Sequence, residues 1–184
     1  MGADKAFLHC GDQTLLERML ALVQSVTKDV YIVGEASKFG SFAPTIGDAY
    51  RDHGPLGGIH AALRASQAEL NLIVAVDLPF LTTALLNYLL DRAKHSGAVV
   101  TVPRISGCLQ PLCAVYRRKF AGVAEKSLKE ERNKIDPLFS NVSTCVIEQQ
   151  DLAAAGVGKE MFRNLNTRED LEEAKRALGF GNQS

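Results

Sequence analysis

Apolar residues recur along this chain in two rhythms, and the rhythms alternate. Leu15, Leu16, Met19, Leu20 and Val23 return at helical spacing, which predicts a first helix there. Val30-Tyr31-Ile32-Val33 is a short β-branched run and reads as a buried strand. Thr45-Ile46 is a weaker strand candidate before the polar stretch Gly47 to His53. Gly54-Pro55-Leu56-Gly57-Gly58 reads as a turn, with a helix from Ile59 to Ala68. Asn71 to Val76 is the clearest strand, ending at Asp77-Leu78-Pro79. Thr82 or Thr83 caps a helix bearing Leu85, Leu86, Leu89, Leu90 and Ala93. Ala98 to Val102 is the next strand, stopped by Pro103, and Leu112 to Tyr116 another. A charged helix follows from Arg118 to Lys129, then a late strand at Thr144 to Ile147. Thr167 caps a last helix bearing Leu171, Ala174 and Leu178, with Asp170 at the capping-box position.

Apolar strands separated by helices predict an α/β fold: one domain over residues 1–184, doubly wound on a mostly parallel sheet. In such sheets ligands sit beyond the carboxyl ends of the strands. The chain opens in a polar loop directly before a helix, where a doubly wound domain usually has a strand and a phosphate-binding turn.

Composition narrows the picture. With 21 basic and 21 acidic side chains the net charge is zero, so no long-range field draws the protein to nucleic acid or an anionic membrane. No stretch is apolar enough to span a bilayer, and the N-terminus lacks the apolar core of a signal peptide, so a cytoplasmic location is expected. Cys10, Cys108, Cys113 and Cys145 form no C-x-x-C pair and read as small apolar fillers in a reducing compartment. His9, His53, His60 and His95 show no metal-ligand spacing, and the run from Lys126 to Lys134 is a solvated helix face.

Asp77 is the first chemical candidate, because a carboxylate just past the most apolar strand stands where substrates bind. It is a hard oxygen ligand suited to Mg²⁺, which needs few protein carboxylates when phosphates complete its shell. A turn cap before Pro79 is the competing reading. Asp48 and Asp52 precede the Gly54–Gly58 segment, whose glycines allow close backbone approach and expose N–H groups at a helix start. A plain loop accounts for them as well. Lys5 could offset charge on a pyrophosphate leaving group, although an N-terminal lysine is solvent-exposed by default. Asn164 and Asn166 precede the last helix and suit either capping or binding. Neither a P-loop nor a G-x-G-x-x-G motif is present.

Taken in order, these segments resemble the MobA-like nucleotidyltransferases, in particular the molybdenum cofactor guanylyltransferases. Met1-Gly2-Ala3-Asp4-Lys5 is similar to the second half of that family's opening signature. Asp48 with Gly54-Pro55-Leu56-Gly57-Gly58 resembles its Asp to G-P-L-x-G segment, and Val76-Asp77-Leu78-Pro79 its metal-binding strand end. Gln110 to Tyr116 resembles its returning Q-P-L strand, and Asn164-Leu165-Asn166-Thr167 its closing N-x-N-T motif. The resemblance implies a Rossmann-like nucleotidyltransferase that joins GMP from GTP to the phosphate of molybdopterin and releases pyrophosphate. Lys5 would contact nucleotide phosphates, and Asp48 would hold the nucleotide. Gly54, Pro55, Leu56 and Gly57 would lie beside the base. Asp77 would bind Mg²⁺, and Asn164 and Asn166 would face the pterin. A monomer or weak oligomer is expected, with cofactor-delivery proteins as further partners.

The sequence departs from the family twice. The first half of the signature, a strand running into L-A-G-G-x-S-x-R, is not in this chain. A start codon further upstream, a shortened chain and a non-catalytic remnant all remain open. Gly34 stands where an Asn contact would be expected, so transfer of CMP, or action on another phosphorylated substrate, stays an alternative. A nicotinamide-dependent oxidoreductase on a similar sheet is a more distant one, lacking a dinucleotide fingerprint.

Overall fold

The computed structural model describes residues 5–50 and 53–179. Met1 to Asp4, with the first part of the resembling signature, and Asp52 lie outside them. A short 3-10 turn, Lys5–Phe7, leads into the hairpin β1 (His9–Cys10) and β2 (Gln13–Thr14). Helix α1 (Leu15–Gln24) starts at Thr14 through a capping box: Thr14 accepts from the Glu17 N–H, and Glu17 accepts from the Thr14 N–H. Strands β3 (Ile32–Val33) and β4 (Thr45–Ile46) pair in parallel around the one-turn helix α2 (Ala36–Phe39).

Next come α3 (Gly54–Ala65), β5 (Leu70–Val74) and α4 (Thr83–Ser96). Thr82 caps α4, accepting from the Leu85 N–H at 3.3 Å, and Gly97 ends it at φ +65°. Strand β6 (Val100–Ile105) turns at Ser106-Gly107 into β7 (Cys108–Leu109), and β8 (Cys113–Arg117) leads to α5 (Phe120–Lys129). Strand β9 (Thr144–Ile147), α6 (Gln149–Ala154) and α7 (Arg168–Ala177) complete the chain.

The α/β class holds, but the sheet is mixed. β5, β6 and β9 share one direction, while β8 runs against both β5 and β6 between them. The connection from Ile105 to Cys113 is too short for a crossover, which takes about a dozen residues, so the chain must return antiparallel. Pro103 does not stop β6. Pairing with β8 ends at Thr101, so the side of β6 on which Pro103 lacks its N–H needs no ladder donor, and its carbonyl accepts from Gln110 at 2.9 Å. Gly54 to Gly58 is not a turn but the first turn of α3, which ends at Ala65, short of Ala68.

Alternation along β8 separates two apolar layers. Ala114 and Tyr116 face Leu56, Ile59 and Leu63 of α3 and Phe120, Ala124 and Leu128 of α5. Cys113 and Val115 face Leu85, Leu86 and Leu89 of α4, with Ile147 and Leu152. The buried Tyr116 hydroxyl donates to the Pro111 carbonyl at 2.8 Å, and burial pushes its pKa up. All four cysteines are free thiols; Cys10 and Cys113 are buried as fillers, and burial raises the Cys113 thiol to about 12, whereas Cys108 is exposed. Among the described residues no helix is long and apolar enough to cross a membrane.

Candidate functional site

Lys5 is not a loose terminal lysine. The residues after it anchor its turn: Ala6 is buried against Leu16 and Leu20, and Phe7 stacks on Phe39 with ring centroids 5.7 Å apart. The Lys5 carbonyl accepts from Leu8, whose own carbonyl accepts from Leu15 at the start of α1. Thus held, the Lys5 ammonium donates to Asn166 Oδ1 at 2.9 Å and lies 3.8 Å from Asp77 Oδ2.

Asp77 follows β5 in a loop tied down from two sides. Its carbonyl accepts from the Leu165 N–H at 3.0 Å, and Arg18 of α1 donates through Nε to the Pro79 carbonyl at 3.1 Å. Leu78 and Leu81 are buried. The Asp77 carboxylate keeps 22% of its side chain exposed beside the 34% exposed Lys5, a geometry open to a ligand. No group of three or more metal-ligating side chains occurs among the described residues.

The Asn164–Thr167 segment crosses Asp77 because α7 fixes its end. Thr167 caps α7, accepting from the Asp170 N–H at 3.0 Å. Asp170 Oδ2 accepts from the N–H groups of Asn166 and Thr167 at 3.0 and 2.9 Å. These backbone N–H groups, with help from Arg163, lower the Asp170 pKa to about 2. Asn166 thereby points its amide oxygen at Lys5, while Asn164 is exposed one residue before the buried Leu165.

A second cluster forms where α3 begins. Asp48 Oδ1 accepts from the Tyr50 N–H at 2.8 Å. A Cβ on Gly57 would lie 2.7 Å from Asp48 Oδ2 and 2.8 Å from the Tyr50 carbonyl, so the glycine at 57 makes room for Asp48. The sequence suggested that it makes room for a ligand. Leu56 is fully buried, which leaves only its backbone to meet a ligand, and Gly54 takes φ +62°, a conformation favouring glycine, just before Pro55. Gly34 also has a packing reason, because any Cβ there would sit 2.8 Å from the Phe39 ring.

The structure therefore joins Lys5, Asp77 and Asn166, and separately joins Asp48 to Gly57. Among the described residues no hydrogen bond or ion pair links the two groups. Arg18, the Leu165 N–H and Tyr50 escaped sequence reasoning: Arg18 is one polar position on an amphipathic helix, and a backbone donor leaves no trace in residue identity.

Residues 1–142 match the MobA-like NTP transferase domain family. Over 95% of its length the chain is 32% identical to a protein named probable molybdenum cofactor guanylyltransferase from Pelotomaculum thermopropionicum, spanning 85% of that protein. It is also 32% identical, over 98% of its length and 90% of the relative, to a molybdenum cofactor guanylyltransferase from Desulfosudis oleivorans. The structure of molybdopterin-guanine dinucleotide biosynthesis protein A from Archaeoglobus fulgidus superposes with a TM-score of 0.83 at 24% identity, covering 96% of this chain and 91% of that one. A 2-C-methyl-D-erythritol 4-phosphate cytidylyltransferase from Thermus thermophilus follows the same fold at a TM-score of 0.70 and 19% identity, covering 95% and 93%. These structural likenesses speak for the fold, and the sequence matches speak for kinship: the chain belongs to the MobA-like NTP transferase family and is a nucleotidyltransferase.

Proposed function

We propose that this nucleotidyltransferase transfers GMP from GTP to the phosphate of molybdenum-molybdopterin, forming a guanine dinucleotide and releasing pyrophosphate. The observation that carries the reading is the meeting of Lys5, Asp77 and Asn166 beyond the end of β5. The relatives named guanylyltransferases support the choice of substrates.

In the reaction an oxygen of the pterin phosphate attacks the α-phosphorus of GTP. A new P–O bond forms as the bond to the bridging oxygen breaks, and pyrophosphate leaves with that electron pair. The attacking phosphate is already ionised at neutral pH, so no strong base is needed. Positioning and charge neutralisation supply the acceleration. Lys5 offsets negative charge on the phosphates, and Asn166 orients its ammonium. Asp48 and the backbone N–H groups opening α3 hold the nucleotide, where the helix start favours anions. Asn164 and Asn166 border the pterin.

Asp77 would hold Mg²⁺: a single, partly exposed carboxylate suits an ion that takes most of its ligands from phosphate and water. Magnesium, when bound, draws charge from the phosphate oxygens. Gly34 favours keeping a second reading in the same test, because a glycine at 34 offers no side chain to contact a base. Pyrophosphate release is measured with molybdopterin and Mg²⁺, supplying GTP in one arm and CTP in the other. Release with GTP and labelled GMP in the pterin product is the expected result. Turnover of CTP alone would move the assignment to cytidylyl transfer. Turnover of neither would refute both.

A further inference from the structure

His60 is a buried titratable group that the mechanism above does not use. It is 7% exposed on α3, and neither ring nitrogen finds a hydrogen-bond partner among the described residues. Burying an unsatisfied imidazole costs free energy that a leucine at the same position would not. Its ring instead meets Tyr50 edge-on, with centroids 5.2 Å apart and planes at 80°. Tyr50 also touches the His53 ring at 5.8 Å and packs on the α3–α5 core. The N–H of the same Tyr50 holds Asp48 through Oδ1, and both its carbonyl and Asp48 Oδ2 occupy the space a side chain at Gly57 would need.

We propose that His60 is a positioning residue for Asp48: the neutral imidazole seats the Tyr50 ring, and the Tyr50 backbone then sets the carboxylate before the first turn of α3. The proposal rests on Asp48 serving the nucleotide, as read above. An edge-to-face ring pair holds direction better than an aliphatic contact.

The surroundings add a pH dependence. Burial lowers the His60 pKa, so the ring is neutral at pH 7. The charged groups acting on it are Glu125 and Lys129 of α5, which pair with each other at 2.8 Å, Arg64 of α3 and Asp48 of the loop, while Tyr50 touches the ring and His53 lies behind Tyr50. An imidazolium would draw Asp48 and Glu125 toward itself and unseat Tyr50. Nucleotide affinity therefore falls on the acid side as His60 gains its proton.

The test compares wild type, His60→Ala, His60→Phe and Tyr50→Leu. Each is titrated from pH 5 to 8 with Mg²⁺ and a GTP analogue carrying a methylene between the α- and β-phosphates. His60→Ala and Tyr50→Leu should weaken binding about tenfold. His60→Phe, which keeps a ring, should bind like wild type at pH 7 and lose the acid-side fall. In turnover the alanine variant should raise KM with kcat nearly unchanged. Equal affinity in all four proteins, or an acid-side fall that persists in His60→Phe, would overturn the positioning role. If His60→Ala does not fold, Tyr50→Leu and His60→Phe decide the matter alone. No binding by wild type would instead overturn the nucleotide reading of Asp48, and this proposal with it.

Discussion

Strands β5 and β8 lie side by side and draw on the same apolar residue types, yet they are buried differently. Cys113 to Tyr116 of β8 are buried, whereas every residue of β5 from Leu70 to Val74 is only half-buried. The difference comes from neighbours rather than composition. β8 is flanked by β5 and β6, and β6 by β8 and β9. Among the described residues β5 pairs on one edge alone. Glu69 and Ala75 turn their backbone groups to the β8 side, bonding Arg118 and Leu112. Leu72 and Val74 accordingly present theirs to the other edge. Asp77 stands at the end of this less supported strand. The proposed chemistry thus sits beyond a strand with one partner among the described residues, while β8 is covered by α3 and α5 on one face and α4 on the other.

Asp77→Asn gives the largest effect expected of this division. It should lower kcat by about 10²–10³-fold, because the carboxylate proposed to hold Mg²⁺ against the phosphates is lost. The melting temperature should stay near wild type, since that side chain packs into no core. A large loss of stability would break the distinction between site and core.

Paired leucine truncations compare α4 with β5. Leu86→Ala, at a fully buried position on α4, should cost about 3 kcal/mol in urea unfolding, and Leu72→Ala on β5 about half as much. Equal costs would mean that β5 is as well supported as the centre. Gly57→Ala comes next. Its methyl meets Asp48 and the Tyr50 carbonyl, so KM for the nucleotide should rise about tenfold with little change in kcat.

The smallest effect concerns α7, which holds Asn166 toward Lys5. The Asp170 pKa falls from 3.8 to about 2 through the Asn166 and Thr167 N–H groups. A carboxylate depressed on folding contributes its stability fully above pH 3.8, and the contribution fades as pH falls toward 2. Circular dichroism should show α7 fraying in that window, and Asp170→Asn should flatten the dependence. An unchanged acid profile would show that the capping box does not hold the segment.

Much of this was legible in the residues. The helix caps at Thr82, one of two candidates, and Thr167 lie where the cap signals put them, while the Thr14 cap went unread. The apolar run before Asp77 correctly announced a strand ending at the sheet mouth. The Gly54–Gly58 segment misled because glycine and proline signal turns, while Pro also suits the first helical positions, where its missing N–H costs nothing. His60 looked like a scattered histidine, since spacing rules search for ligand sets and not for a ring buried beneath a tyrosine.

Taken alone, the chain determined its α/β class, most element positions, the caps of α4 and α7 and the placement of Asp77 after an apolar strand. Those features are written in residues that are neighbours in sequence, through periodicity and capping. Only the tertiary structure decided that β8 runs backwards, that Lys5 meets Asn166 across 161 positions, and that Asp48 fills the space left by Gly57. Such meetings depend on strand order and loop closure, and a hydrophobic pattern encodes which face is buried but not which distant segment will cover it.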